Sequence, residues 1–339
     1  MPVSLMVNES TTIVTFVMPV FLDKGEQSIV WLDKTVDSVL AQTDPNWQLI
    51  MVNDCSPYPK TAAELERLSA KDSRIHAINL PANQGPGGTR NAGINWARDH
   101  GSEYIAFLDA DDICHPRRAE VIRSIMDHDP SVGVVYSTFI VIDENDNKVA
   151  WGKLSGPIQE ILECNQNNPP QGETAWIDIG TMTGYANLTS STAVRVGIAI
   201  KHPFADVITG EDAHAWLRYA GEGKKFVYTP DIPTLYRIPQ KAGHSAMRDR
   251  VGGIEVFYTG QCKVGRDGFE TAFNVAVANG KVKPQEKERL LARYHVRTAE
   301  TMRQADQLHL AKNEIKRARE ISPQFAKEWI DFLGYDWAK

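Results

Sequence analysis

Along about the first 140 residues, short apolar runs rich in Ile, Val and Phe alternate with longer segments in which apolar residues recur about every 3.6 positions. This alternation predicts a mostly parallel sheet with crossover helices on its faces. A fourth crossover helix is expected to begin near Pro116, because proline suits a first helical turn. The predicted strands are 13–20, 49–53, 74–80, 104–108 and 132–142, and the first three helical stripes are 30–40, 63–70 and 92–97.

After residue 149 the pattern is less regular, and from about residue 254 it is helical. Asn279-Gly280 is typical of a helix end, Pro284 of a new start, and Ser322-Pro323 of an N-cap followed by a first-turn proline. Three or four helices are therefore predicted to close the chain. Between these regions we expect a polar loop at 165–172, a strand at 190–196, a helix at 211–220 and short strands at 225–228 and 234–238.

The composition is that of an ordinary folded protein. Of 339 residues, 42% are hydrophobic and 24% charged, and 37 Lys and Arg against 43 Asp and Glu give a net charge of -6. Such a chain lacks the basic surface expected of a nucleic-acid-binding protein. Four cysteines without a C-x-x-C pair favour reduced thiols, and no window approaches the ~18 apolar residues of a membrane span. We therefore expect a cytoplasmic protein without a transmembrane span.

The strongest chemical signal is a cluster of carboxylates that follows the predicted strand 104–108. Asp109, Asp111 and Asp112 lie within four positions, where their mutual repulsion favours a bound cation. Mg²⁺ and Mn²⁺ prefer oxygen ligands and often bind through one or two carboxylates plus substrate phosphates. Ligands of open α/β sheets gather at the carboxyl ends of strands. A solvated, Asp-rich turn is the alternative.

Other segments precede this cluster in a distinctive order. They are Val-Met-Pro-Val-Phe at 17–21, Ile-Met-Val-Asn-Asp-Cys-Ser at 50–56, Asn-Gln-Gly at 83–85 and Thr-Arg-Asn-Ala-Gly at 89–93. Together with the D-x-D element at 109–111, this order closely resembles the nucleotide-sugar-binding half of the family 2 inverting glycosyltransferases. The resemblance is specific over roughly residues 13–120 and implies their GT-A fold, a Rossmann-like, mostly parallel sheet with crossover helices. The helical C-terminal region is then an extension of that fold.

The resemblance implies a donor site at the ends of the first, second and fourth strands. In the family, the residue matching Asp54 contacts the uracil of UDP-sugars, although a turn cap is its alternative role. Asn53 departs from relatives that have an Asp there. The residue matching Asp111 is the direct metal ligand, and that matching Asp109 contacts the ribose or a metal-bound water. The implied donor-binding residues are Pro19, Phe21, Asp54, Arg90, Asp109, Ala110 and Asp111.

The glycine-rich stretch 85–88 matches neither of two known phosphate loops. Arg90 occupies a position where a Rossmann fingerprint needs glycine, and Ile94-Asn95 follow Gly93 where a Walker loop needs Lys and Ser or Thr. The glycines are expected to let the backbone pass close to the donor before a helix begins. In the first turn of that helix, Arg90 is expected to reach a phosphate or sugar oxygen, with a surface ion pair as the alternative.

A second acidic pair, Glu211-Asp212, opens the predicted helix 211–220. Adjacent acids at a helix start are usually caps. The relatives, however, carry a Glu-Asp pair here, whose Asp is the general base toward the acceptor hydroxyl. The resemblance therefore implies that Asp212 is the catalytic base of a direct displacement, with no covalent enzyme intermediate.

The segment 236–245 resembles the Arg- and His-containing element that often acts as a mobile flap in the family. His244 is implied to ligate the metal or contact the diphosphate, although a lone His in a polar loop is more often solvated. Arg237 and the basic residues after it are expected to supply positive charge against phosphates; these are Lys241, Arg248 and Arg250. Met247 stands where a nucleophile elbow needs glycine, which argues against a serine hydrolase.

The acceptor is expected between the base helix and the segment 176–187. Trp176, Tyr185 and Trp216 are candidates for flat contact surfaces, with core packing as the equal alternative. The terminal helices have charged faces with an apolar stripe. Packing on the catalytic domain or formation of a homo-oligomer is their default role, and attachment to the inner face of a membrane is a weaker alternative.

The resemblance thus implies a Mn²⁺- or Mg²⁺-dependent inverting glycosyltransferase. It would move a hexosyl or N-acetylhexosaminyl group from a nucleotide sugar, expected to be UDP-linked, to a saccharide, lipid-linked or small-molecule acceptor. The alternatives are a catalytically silent sugar-nucleotide-binding scaffold and a nucleotidyltransferase, whose N-terminal glycine-rich loop is missing here. The predicted units are a catalytic domain at 1–250, with a nucleotide-sugar half at about 13–145 and an acceptor half at about 146–250, and a helical region at 251–339.

Overall fold

The structure is a computed structural model that describes residues 12–207, 209–240 and 252–338. Its strands are β1 (Val14–Val20), β2 (Trp47–Asn53), β3 (Ile75–Asn79), β4 (Tyr104–Phe107), β5 (Val132–Ile142), β6 (Thr192–Arg195) and β7 (Lys225–Arg237). They form a seven-stranded sheet in the order β3-β2-β1-β4-β6-β5-β7. The pairs β1–β2, β1–β4, β2–β3 and β5–β7 are parallel, and β6 runs antiparallel to β4 and β5. The predicted mostly parallel sheet is confirmed.

Helices cover both faces of this sheet. In the first half they are α1 (Glu26–Leu40), α2 (Thr61–Ser69), α3 (Gly85–Asp99), α4 (Arg118–His128) and α5 (Gly156–Asn167). Next come α6 (Ala175–Asp178), which continues as a π turn at Ile179–Thr183, then α7 (Val196–Lys201) and α8 (Glu211–Gly221). The C-terminal region contains α9 (Ile254–Ala278), α10 (Lys287–Gln304), α11 (Leu308–Ile321) and α12 (Pro323–Leu333).

Alternate residues of the central strands enter two different cores, as the two-residue period of a strand requires. Val17 and Phe107 pack with α3, α8 and α9 on one side of the sheet. Phe16 and Met18 pack with α1, α2 and α4 on the other side. Because both faces are covered, β1 and β2 are almost continuously apolar. Buried residues of β1 and β2 therefore hold the carboxyl ends of these strands in place, at the edge of the sheet where the carboxylates lie.

Three expectations about element bounds need correction. The strands expected at 225–228 and 234–238 are one strand, β7, whose pairing with β5 shifts between Ser137 and Phe139. The four residues 230–233 lie at this irregularity. Two of them are prolines, which cannot donate a backbone hydrogen bond to the neighbouring strand. Helix α4 begins at Arg118, two residues beyond Pro116. Helix α5 extends to Asn167, so the predicted polar loop begins at residue 168.

The helix signals of the C-terminal region are confirmed, with four helices in the range 252–338. Helix α9 ends at Ala278 before Asn279 and Gly280, and Gly280 has a φ of 69°. Ser322 caps α12, where its Oγ accepts a hydrogen bond from the backbone N–H of Phe325 at 3.3 Å, and Pro323 is the first helical residue.

The C-terminal helices pack on the α/β part of the chain. Phe269 of α9 lies in the core that also contains Phe107 and α8. Arg297 of α10 donates from Nε to the carbonyl oxygen of Met182 at 2.7 Å, and Trp329 of α12 donates to that of Thr181 at 3.0 Å. Both carbonyls belong to the π turn, so these helices hold the segment where the acceptor was expected. Within the described ranges, no helix is long and apolar enough to cross a membrane.

Backbone packing between α8 and α9 leads to a first testable expectation. A Cβ added at Gly268 of α9 would lie 3.0 Å from the Cα of His214 in α8. Overpacking of this kind costs about 1–3 kcal/mol, more than the ~0.5–1 kcal/mol that alanine gains over glycine in a helix. Gly268→Ala is therefore expected to lower the free energy of unfolding, measured in urea.

Gly197→Ala is the matched control, because no atom lies within 4 Å of the added Cβ on that helix, α7. Its free energy of unfolding should stay the same or rise by up to about 1 kcal/mol. Equal stability changes in the two variants would contradict the close packing of α8 on α9.

Candidate active site

The D-x-D element lies at the carboxyl end of β4, as predicted. Its backbone is fixed on two sides: the N–H of Asp109 donates to Ser190 Oγ at 2.9 Å, and the carbonyl of Ala110 accepts from Thr35 Oγ1 at 3.0 Å. Asp109, Ala110 and Asp111 are half-buried, whereas Leu108 before them is fully buried. The strand thus ends in carboxylates that are partly accessible to solvent.

Asp112 has a different role from its neighbours. Its side chain is fully buried, and its Oδ1 accepts from the backbone N–H of Arg237 in β7 at 2.8 Å. Burial and the nearby charge of Asp111 raise the pKa of Asp112 well above its usual value. Asp112 therefore anchors the loop to β7.

Arg237 is also buried, although it was expected to face phosphates. Its Nε donates to the carbonyl of Asp111 at 2.7 Å, and its Nη1 donates to the carbonyl of Asp143 at 2.8 Å and pairs with Asp146 at 2.6 Å. These contacts hold the backbone of the D-x-D element. His244, Lys241, Arg248 and Arg250 lie outside the described residues.

The crowded carboxylates are electrostatically strained. Burial, followed by the charge of Asp109, raises the pKa of Asp111 to about 6, even though Lys24 and Arg237 act in the opposite direction. A cation at this point would relieve the repulsion. In the described part of the chain, no group of three or more His, Cys, Asp and Glu side chains is arranged to hold a metal ion by itself.

The residues predicted to bind the base lie at the ends of β1 and β2. Pro19 pairs in register with Val52, and Phe21 follows β1; both side chains are half-exposed. Asp54 follows β2 and is 5% exposed, and its Oδ1 accepts from the backbone N–H of Gln84 at 2.7 Å. This bond gives Asp54 a structural role in the loop before α3, which is the turn-capping role considered above.

One glycine at the start of α3 and a second in its middle serve close packing within the protein. A Cβ on Gly87 would lie 3.0 Å from the carbonyl oxygen of Ala205, and one on Gly93 would lie 2.5 Å from Val17 Cγ1. Helix α3 therefore sits tightly against β1 and against the segment that precedes α8.

Arg90, in the first turns of α3, contacts one carboxylate that follows β4 and one that begins α8. Its Nη2 donates to Asp109 Oδ1 at 2.9 Å, and its Nη1 donates to Glu211 Oε1 at 3.0 Å. Arg90 is 4% exposed. Burial works to lower its pKa, but the charges of Asp109 and Glu211 outweigh it and raise the pKa of Arg90 above its usual value. The alternative of an ion pair is confirmed, but the pair is buried.

Asp212 lies in the first turn of α8, which begins after Gly210 in a left-handed conformation (φ 76°). Its Oδ1 accepts from the backbone N–H of Ala213 at 2.7 Å. Burial raises the pKa of Asp212; the charge of Arg90 opposes this effect and that of Asp109 adds to it. The charge of Asp109 therefore acts on Asp212. The raised pKa of Asp212 suits a base that must take up a proton.

The aromatic candidates separate into two groups. Trp176 is fully buried and contacts Phe269 at a ring distance of 5.0 Å, and Trp216 is 2% exposed and contacts Phe204 at 5.8 Å. These two tryptophans are core residues. Tyr185 is half-buried, and burial together with the charge of Asp212 raises the pKa of its phenol. Tyr185 is therefore the aromatic candidate beside the predicted base.

Sequence reasoning missed two residues of this site. Ser190 holds the backbone of Asp109, and Lys24 lowers the pKa of Asp111 by its charge. No motif marks them, because each reaches the site from a segment distant in sequence. The only signal was that Ser190 opens a predicted strand.

The carboxylate cluster leads to an expected pH dependence. Burial and the charge of Asp212 raise the pKa of Glu211 from 4.5 to about 7, against the effect of Arg90. The folded protein thus binds this proton more tightly than the unfolded chain. The resulting stability is present below pH 4.5 and is lost as the pH rises through about 7. Glu211→Gln should flatten the fall of the free energy of unfolding across this window, measured in urea with EDTA.

Glu173→Gln removes an exposed carboxyl that is paired with Lys281 and serves as the control. It should keep the wild-type slope between these pH values. A Glu211→Gln slope identical to that of wild type would contradict the raised pKa.

Comparison of the sequence with known proteins identifies a family to which the chain is similar. The sequence profile of Glycosyl transferase family 2 matches residues 15–186. An uncharacterized glycosyltransferase of Methanocaldococcus jannaschii is 29% identical over 213 residues, which are 62% of this chain and 67% of that protein. The succinoglycan biosynthesis protein ExoW of Rhizobium meliloti is 42% identical over 87 residues, 25% of this chain and 26% of that protein. The aligned regions thus span from about a quarter to two-thirds of these relatives.

Solved structures share the fold at low sequence identity. Residues 1–349 of S. aureus TarS have a TM-score of 0.53 at 15% identity, covering 97% of this chain and 92% of that chain. A complex of the same TarS fragment with UDP-GlcNAc has a TM-score of 0.51 at 14% identity, covering 94% and 91%. The mannosyltransferase PcManGT from Pyrobaculum calidifontis, in complex with GDP-Man and Mn²⁺, has a TM-score of 0.52 at 15% identity, covering 91% and 75%. The fold of this chain is therefore one that it shares with TarS and with the mannosyltransferase PcManGT.

Proposed function

The chain belongs to glycosyl transferase family 2 and is a glycosyltransferase, and we propose that it transfers a sugar from a UDP-linked donor to an acceptor hydroxyl with inversion. The observation that carries this proposal is that Arg90 bridges two acidic groups. Asp109 and Asp111 follow β4, Glu211 and Asp212 begin α8, and Arg90 donates to Asp109 and to Glu211.

The donor half is proposed to lie along the ends of β1, β2 and β4. Pro19, Phe21 and Asp54 would hold the base, and Asp109, Ala110 and Asp111 would face the diphosphate. These residues fit a divalent metal, because their oxygens are the ligands that Mn²⁺ and Mg²⁺ prefer, and because a cation would offset both the burial of the Asp111 carboxylate and its repulsion by Asp109, which raise its pKa. Bound there, Mn²⁺ or Mg²⁺ would stabilise the negative charge of the leaving nucleotide. Similar folds that hold UDP-GlcNAc or GDP-Man with Mn²⁺ support this assignment.

Asp212 is proposed to remove the proton from the attacking acceptor hydroxyl. A single displacement needs a base on the face opposite the leaving nucleotide, and it inverts the anomeric centre. The raised pKa of Asp212 brings it closer to the operating pH, where a general base is most effective. Tyr185 would line the acceptor side of the cleft.

The same residues argue against the two alternative functions. A silent sugar-nucleotide-binding scaffold would not need Asp212 and Asp111 at one cleft. A nucleotidyltransferase would need a phosphate loop after β1, whereas the described segment 21–25 connects β1 to α1 and contains one glycine. We propose the predicted division of the chain as its functional one: a donor half, an acceptor half, and C-terminal helices that brace the acceptor half.

A thermal-shift panel tests the donor assignment. UDP, GDP, CDP, dTDP and ADP are compared with and without Mn²⁺, because a ligand at ~100 times its Kd stabilises by about 2.7 kcal/mol. We expect the largest stabilisation from UDP with Mn²⁺, and its loss in Asp111→Asn. Stabilisation by another nucleoside diphosphate would replace the UDP assignment, and the absence of any shift would argue against a donor site.

A further inference from the structure

The side chain of Arg90 joins the D-x-D element to the first residue of α8. One Nη group donates to Asp109 on the donor side and the other to Glu211, the residue before the proposed base. Its Nε is buried without a hydrogen-bond partner among the described residues. Two of the three nitrogens are thus occupied by carboxylates before any donor binds.

The surroundings of Arg90 reinforce this bridge. The guanidinium lies 5.5 Å from the ring centre of Phe204. Asn91, the next residue of α3, donates to the carbonyl of Phe204 at 2.9 Å and accepts from its N–H at 2.8 Å. Because Phe204 belongs to the segment that leads into α8, helix α3 holds both the approach to α8 and its first residue.

We propose that Arg90 is a positioning residue that fixes the first turn of α8 to the carboxyl end of β4, and that it is not a phosphate ligand. This inference rests on the proposed function, because it explains what holds the proposed base, Asp212, in place relative to the D-x-D element. It replaces the contact with a phosphate or sugar oxygen that the family resemblance suggested.

Electrostatics explain why an arginine is needed here. Asp109, Glu211 and Asp212 would repel one another without a shared cation. A planar guanidinium fork can bind two carboxylates at once, whereas a lysine ammonium is a compact point charge without a fixed fork. Loss of Arg90 should therefore let the start of α8 move away from β4, and a displacement of about 1 Å at a reacting group can cost on the order of 10²-fold in rate.

The test compares Arg90→Lys and Arg90→Met with wild type in two measurements. Amide hydrogen exchange of the peptide covering 209–217 reports the order of the first turn of α8. The ratio of UDP to uridine affinity, measured in EDTA, reports direct contact with the diphosphate without a contribution from metal. Arg90→Lys keeps the positive charge and guards against a variant that fails to fold.

Arg123→Met is the matched control, because Arg123 forms a largely buried ion pair with Asp44 at 2.6 Å on α4. We expect about tenfold faster exchange at 209–217 in both Arg90 variants, no such change in the control, and an unchanged ratio of UDP to uridine affinity. Unchanged exchange at 209–217 would overturn the positioning role. A ratio that falls toward one in either Arg90 variant, and above all in Arg90→Met, would also overturn the proposal, because it would show a phosphate contact.

The two measurements also separate this inference from the proposed function. If wild type does not prefer UDP to uridine when Mn²⁺ is present, the proposed donor fails, and the exchange comparison still decides whether Arg90 positions α8. If wild type prefers UDP and exchange does not change in the variants, only the positioning role fails.

Discussion

Replacing Asp212 with asparagine is expected to lower the rate of sugar transfer by about 10²–10⁴-fold, the range for loss of a general base. Asparagine keeps the size of the side chain and can still accept from the N–H of Ala213, the bond seen at 2.7 Å. It cannot take up the proton of the acceptor hydroxyl. The measurement is release of nucleoside diphosphate from the nucleotide sugar that wild type uses fastest.

Nucleotide affinity should not change in Asp212→Asn, because no role in donor binding is assigned to this residue. Asp37→Asn is a suitable control, since Asp37 is an exposed residue of α1 that pairs with Lys71. It should keep the wild-type rate. An Asp212→Asn variant that is as fast as wild type would exclude Asp212 as the base.

Replacing Arg237 with methionine is expected to cost about 3–5 kcal/mol of folding free energy, the range for breaking a buried ion pair. The Arg237 side chain is fully buried, and it holds the carbonyls of Asp111 and Asp143 as well as the carboxylate of Asp146. Methionine fills much of the space but leaves these acceptors unpaired. Urea unfolding measures the loss.

Arg67→Met makes the same chemical change at an exposed ion-pair network of α2, where Arg67 contacts Asp33 and Glu64. Exposed pairs contribute about 0–1 kcal/mol, so this control should be close to wild type in stability. Equal losses of unfolding free energy in the two variants would contradict a larger stabilising effect of the buried contacts of Arg237. Mn²⁺-dependent stabilisation by UDP should also weaken in Arg237→Met, because the backbone of Asp111 loses its support.

The order and type of the elements were predictable because the apolar pattern fixes them. The continuous apolar runs of β1 and β2 are those of strands covered on both faces, and Ser322-Pro323 marks a helix start by local chemistry alone. The errors lie where tertiary pairing decides. Nothing local shows that 225–237 pairs with β5 on both sides of an irregularity.

The candidate site was predictable in part for the same reason. Motif order identified Asp109, Asp111 and Asp212, and the structure places Asp109 close enough to the other two for its charge to raise their pKa values. The roles of Arg90 and Arg237 were not predictable, since their carboxylate and carbonyl partners are more than 90 residues away for all but one contact. A basic residue near a predicted phosphate site looks like a phosphate ligand until its partners are known.

The measurement that tests the central claim most directly is proton NMR of the sugar product during turnover of nucleotide sugars with Mn²⁺. An α-linked donor such as UDP-glucose should give UDP and, before mutarotation or in the linkage to an acceptor, the β-anomer. Release of the α-anomer would contradict the single displacement assigned to Asp212. Release of the sugar 1-phosphate, or no turnover of any nucleotide sugar with any hydroxyl acceptor including water, would contradict inverting glycosyl transfer itself.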